Sequence, residues 1–170
     1  YAINSGGLTE FGREVVKEMN RLGMVVDVSH ISPDSFYDVA ELSTRPFIAS
    51  HSNAKAICPH VRNLDDDQFK TIVKAGGMVG LNFCPAFLHR EDFADVNDML
   101  RHIEHFLSLG GENHIGLGAD FDGIDSTPID VTDVSKLDIL RNALLRQNYS
   151  EELTDKIFFK NYFTFVKNNF

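Results

Sequence analysis

The chain has 170 residues, of which 16 are Lys or Arg and 25 Asp or Glu, so its formal net charge is −9, and 43% of it is hydrophobic. That composition excludes wholesale disorder, and an acidic balance without a basic run excludes a nucleic-acid surface, which needs clustered cations to displace counterions. Its 2 cysteines close at most one bridge, and no apolar stretch approaches the ~20 residues of a membrane helix. A disulfide scaffold and a membrane segment are therefore not expected; a reducing, cytoplasmic location is. Length predicts one domain.

In chain order, Thr9 can cap a helix carrying Phe11, Val15, Met19 and Leu22 at helical spacing, with Gly23 as its stop. The short β-branched run Met24–Val28 follows. Ser32-Pro33 reads as an N-cap and first-turn proline opening a helix to about Leu42. Phe47–Ser50 is a second apolar run, and Asp65 or Asp66 starts a helix that Gly76-Gly77 ends. Met78–Phe83 is the third run, Val96–Leu109 a helix, and His114–Asp120 the fourth run. Helices over Val134–Leu145 and Glu151–Lys167 close the chain, the second behind a Ser150 cap.

Strands that are continuously apolar and alternate with helices predict a parallel sheet covered by helices, an α/β fold. A flavodoxin-like sheet and part of a (β/α)₈ barrel both fit. Their difference lies in where chemistry sits. Each run ends in a polar group: Asp27 and His30, then Ser50-His51, then Asn82, then Asp120 with Asp122 beyond. Chemistry at the C-terminal ends of successive parallel strands is the arrangement of a (β/α)₈ active site. No glycine-rich phosphate loop follows the first run, and Gly116-x-Gly118 within the fourth reads as close backbone packing.

His60, His89, His102, His105 and His114 read as surface or hydrogen-bonded structural residues. Asp65-Asp66-Asp67 reads as a helix N-terminus, and the aromatics Phe158, Phe159, Tyr162, Phe163 and Phe165 as core. His30 and His51 stand apart, because both follow directly on strands and would point into one mouth. An imidazole there needs a partner or a metal. On pattern alone both fit, and a catalytic zinc takes about three protein ligands plus water, more than two histidines supply.

The stretches Gly7-Leu8-Thr9-x-Phe11-Gly12 and Glu18–His30, then Ser50-His51-Ser52-Asn53-Ala54, Arg62-Asn63-Leu64-x-Asp66 and Gly118–Gly123 together resemble the membrane (renal-type) dipeptidase family. These are zinc metallopeptidases of the amidohydrolase-like barrel class, and the resemblance runs over nearly the whole chain in family order. It implies that His30 and His51 bind the same zinc, that Arg62 contacts the substrate carboxylate, and that Asp120 sits by the catalytic water and the substrate amine.

The implied activity is hydrolysis of free dipeptides by a metal-bridging hydroxide, with about two zincs per complete site. The other ligands of the family, a His-x-Asp pair and a bridging glutamate, match nothing here, nor does a further histidine that polarises the substrate. A complete (β/α)₈ barrel takes ~250 residues. Residues 1–170 are therefore expected to be the C-terminal half of one barrel domain, carrying about four βα units. Two alternatives stand beside the dipeptidase. The same barrel could act on another small amide, a β-lactam or an N-acyl amino acid. The chain alone could be an inactive half-barrel that pairs with its missing half or forms a homodimer.

Overall fold

The computed structural model describes residues 6–91 and 93–170. Helix α1 (Glu10–Leu22) starts where the Thr9 hydroxyl accepts the Gly12 amide, and stops at Gly23, whose φ of 76° is a left-handed value that glycine adopts without penalty. Its apolar stripe is not a core face. Phe11, Val15 and Leu22 are exposed, and Val16 is the residue that α1 buries. Helix α2 (Pro33–Leu42) has the expected Ser32 cap and buries Phe36 and Val39. Helix α3 (Asp66–Lys74) opens with a reciprocal capping box between Asp65 and Gln68. Asp95 and Asp98 do the same for α5 (Val96–Ser108).

The sheet has three parallel strands in chain order, β1 (Ile48–Ala49), β2 (Met78–Leu81) and β3 (Ile115–Leu117). The predicted first strand shortens to a single parallel bridge between Asp27 and Ile48. Two backbone bonds support it, Val28 N to Ile48 O at 2.8 Å and Ile48 N to Val26 O at 2.9 Å. The segment therefore continues the parallel order beside β1 without forming a ladder of its own.

Two elements escaped the sequence reading: α4 (Pro85–Leu88) and a 3₁₀ turn at Gly111–Asn113. The predicted helix from Val134 begins as a 3₁₀ turn, Val134–Lys136, and becomes α6 (Leu137–Arg146). The last helix is divided into α7 (Glu151–Asp155), a π-helical turn (Lys156–Lys160) and α8 (Asn161–Asn169). Asn161 ties this end to the sheet, donating from Nδ2 to the carbonyls of Glu112 at 2.9 Å and Ile115 at 2.8 Å.

One apolar core lies between the sheet and its helices. Phe69 and Phe106 stack with centroids 4.3 Å apart, and Phe36 meets Phe47 edge-on at 5.8 Å. Truncating such a ring to alanine typically costs about 3–5 kcal/mol. The terminal aromatics only partly follow expectation. Phe165 is buried, but Phe159 and Phe163 face solvent at 55% and 67% exposure. Both cysteines are free thiols.

Glycines let the strand ends converge. A Cβ on Gly80 or Gly118 would stand 2.0 or 1.9 Å from the Ser50 carbonyl oxygen, a backbone atom that cannot swing away. At Gly116 it would stand 2.5 Å from the Tyr162 ring. The close-packing reading of Gly116 and Gly118 holds, Gly80 is a further case, and the consequence is that β1, β2 and β3 end close together.

Candidate metal and substrate site

His30 and His51 follow the Asp27 bridge and β1 respectively, and their rings meet. The two Nε2 atoms lie 2.7 Å apart and the ring centroids 4.8 Å apart. Asp120, beyond the end of β3, brings Oδ2 to 4.0 Å from His51 Nε2. Its backbone has φ 61°, a conformation that aspartate tolerates better than most residues. The Asn82 Nδ2 amide donates to the same Oδ2 at 3.3 Å.

Arg62 joins them through its Nε, which donates to the Ser29 carbonyl at 3.1 Å, one residue before His30. Its guanidinium carbon lies 5.3 Å from the Phe87 ring centroid, within the range of a cation–π contact. The four residues singled out in the sequence are thus brought to one place.

Behind them lies a layer of hydrogen bonds. Asp27 Oδ1 accepts the amides of Ser29 and Ser50, each at 3.0 Å, and Oδ2 accepts the Ser50 hydroxyl. Burial by itself would raise the Asp27 carboxyl, but these bonds from Ser50 and Ser29 hold it below the usual carboxylate range. Ser50 Oγ is 2.7 Å from His51 Nδ1. Burial, then the positive charge of Arg62, then His51 lower the pKa of His30, which favours the neutral imidazole that a metal requires.

The remaining histidines are structural, as expected. His102 is fully buried, accepting the Ala54 amide at Nδ1 (3.0 Å) and donating from Nε2 to the Leu88 carbonyl (2.9 Å). His105 pairs with Asp66 at 2.7 Å, His114 contacts the Gly77 carbonyl, and His60 accepts the Arg62 amide. Sequence reasoning missed Asn53. Its side chain pairs with both backbone groups of Asn82 and so positions the residue that holds Asp120.

Two converging imidazole nitrogens are a fitting pair of donors for a borderline metal such as zinc. A complete set is not found locally: among the described residues no cluster of three or more His, Cys, Asp or Glu could hold a metal ion. The geometry thus sets two imidazole nitrogens beside a carboxylate and a guanidinium, groups that could serve a metal, a cation and an anion respectively.

The chain matches the membrane dipeptidase family (peptidase family M19) over residues 1–169, and it belongs to that family. A metallopeptidase from Rhodobacter sphaeroides, solved with a phosphinate mimic of the dipeptide L-Ala-D-Ala, superposes with a TM-score of 0.93 at 40% identity. The match covers 99% of this chain and 49% of that one. An uncharacterised protein encoded in the pqqA 5′ region of Klebsiella pneumoniae is 40% identical over 95% of this chain and 61% of its own length. An uncharacterised dipeptidase of Schizosaccharomyces pombe is 42% identical over 88% of this chain and 37% of its own length. The chain therefore spans between about a third and three-fifths of these relatives.

Proposed function

We propose that the chain contributes the C-terminal half of a single (β/α)₈ barrel domain in a zinc-dependent dipeptidase. The parallel order of the strands and the share of its relatives that the chain spans support the barrel reading. The observation that carries the function is the 2.7 Å convergence of the His30 and His51 Nε2 atoms at neighbouring strand ends, with Asp120 at 4.0 Å from one of them.

In this reading His30 and His51 are ligands of one zinc ion, and the remaining donors come from elsewhere in the assembled protein. A bound zinc activates water and polarises a carbonyl. The chain's own residues do the rest. Arg62, tethered to the backbone beside His30, binds the C-terminal carboxylate of the dipeptide through its guanidinium fork. Asp120, held by Asn82, accepts the substrate ammonium and moves a proton at Oδ2. Substrates are small zwitterions, for which one cation and one carboxylate suffice as anchors. A reducing, cytoplasmic location belongs to this reading as a proposal, two cysteines being too few for a disulfide scaffold. No helix among the described residues is long and apolar enough to cross a membrane.

The test is dipeptide hydrolysis by the full-length protein carrying His51→Ala. The reading predicts loss of activity with the fold retained, and wild-type turnover would overturn it. A panel that includes β-lactams and N-acyl amino acids fixes the substrate class: turnover of those with free dipeptides inert would also overturn it.

A further inference from the structure

We propose that Asp27 and Ser50 form a hydrogen-bond relay that fixes the tautomer of His51 and keeps its Nε2 unprotonated, able to take a metal, which makes both of them positioning residues. This rests on the reading of His51 as a ligand. The logic follows the single hydrogen of the Ser50 hydroxyl. Asp27 Oδ2 lies against Ser50 Oγ, and a carboxylate only accepts, so that hydrogen points at Asp27. On its other side Ser50 Oγ is 2.7 Å from His51 Nδ1. With its hydrogen directed away, Oγ can only accept there, so Nδ1 carries the ring proton. A neutral imidazole has one such proton, and Nε2 is left without any. In the metal-free protein that atom therefore accepts the ring proton of His30 Nε2 across the 2.7 Å contact, the position a metal would take over.

The surroundings hold the relay in place. Asp27 Oδ1 is occupied by the amides of Ser29 and Ser50, which turns Oδ2 toward the hydroxyl. The Ser29 hydroxyl accepts the His51 amide at 3.0 Å and lies 3.4 Å from Ser50 Oγ. The parallel bridge from Asp27 to Ile48 sets the register that brings these side chains together. Partners of this kind commonly contribute 10- to 100-fold to metal affinity.

Asp27→Asn reverses the relay while keeping its shape. Its Oδ1 would stay on the two backbone amides, so Nδ2 would take the place of Oδ2 and donate to Ser50 Oγ. The Ser50 hydrogen would then turn to His51 Nδ1, and the ring proton would move to Nε2, where it blocks a metal. The experiment is ¹⁵N-histidine NMR of the metal-free full-length protein, with zinc affinity measured by chelator competition. Expected are an Nδ1–H tautomer at His51 in the wild type and an Nε2–H tautomer in Asp27→Asn. Zinc binding should be about 10- to 100-fold weaker in Asp27→Asn and Ser50→Ala, and restored in Ser50→Thr.

An Nε2–H tautomer in the wild type overturns the proposal, as does an Asp27→Asn protein that binds zinc within about twofold of wild type. So does one that loses zinc with the tautomer unchanged. If one variant fails to fold, the wild-type spectrum and the other variant still decide. His51→Ala separates this from the ligand assignment: if it binds zinc like the wild type, the assignment fails whatever the tautomer shows.

Discussion

Asn53 and Asn82 form a closed amide pair, in which Asn53 Nδ2 donates to the Asn82 carbonyl and the Asn82 amide donates to Asn53 Oδ1, both at 2.9 Å and both residues fully buried. A side chain here does what a neighbouring strand would do, so β2 stays paired one residue past its end. The Asn82 side chain is thereby aimed at Asp120. Asn53→Ala would leave a buried donor and a buried acceptor unmet. The expected cost is about 2–4 kcal/mol in chemical denaturation of the full-length protein, with a fall in kcat/KM as Asp120 loses its partner. A change below about 0.5 kcal/mol would contradict it.

Gly123 keeps the Asp120 carboxylate where it is. A Cβ there would sit 2.3 Å from Asp120 Oδ1, the movable end of a side chain rather than backbone. Gly123→Ala should therefore cost less than about 1 kcal/mol of stability and yet lower kcat/KM by about 10- to 100-fold, because the carboxylate is displaced. Equal losses in Gly123→Ala and a remote glycine variant would refute this placement.

Asp120→Asn keeps a residue type that tolerates the left-handed backbone while removing the charge. Melting temperature should hardly move, and kcat should fall by about 10²–10⁴-fold, the usual weight of a general acid or base. Full activity would remove Asp120 from the chemistry.

Stability should also report on His102, whose pKa burial depresses from 6.5 to about 4. Protonation would in addition cost the Nδ1 acceptor its bond from the Ala54 amide. The unfolded chain binds this proton below pH 6.5 and the folded protein only near pH 4, so stability falls as pH drops through that window. The loss from this residue is about 3 kcal/mol. In His102→Phe it should be missing from the pH profile, although the variant is weaker at pH 7 for want of two hydrogen bonds. An unchanged profile would contradict the assignment.

The helices were legible because their caps are local chemistry. Thr9, Ser32, Asp65 and Ser150 each act as expected, and Gly23 ends α1. Strand lengths were less legible, because apolarity extends past the residues that pair: His114–Asp120 reads as a strand and only Ile115–Leu117 is one. Nothing in residues 156–160 announces a π-helical turn, whereas the Pro85 that opens α4 was a usable signal. Aromatic periodicity misled at Phe159 and Phe163, since it marks one face of a helix without saying what covers it.

The histidines and Asp120 stood out because hydrophilic groups at the ends of buried strands need a reason. Asn53 did not, because its partner is a backbone 29 residues away that only the sheet register brings near. Ser50 stood out only as a polar group at a strand end and Ser29 not at all, so the contacts that link them to Asp27 and His51 were not legible. A serine carries no sequence mark of the carboxylate or the imidazole it connects.

The most direct test of the central claim is the zinc content of full-length wild type, His30→Ala, His51→Ala and the double variant, measured by elemental analysis after dialysis. If His30 and His51 hold one and the same ion, the wild type retains about two zincs, each single variant about one, and the double variant no fewer than either single. Wild-type zinc in either single variant, or a further zinc lost in the double, would contradict it.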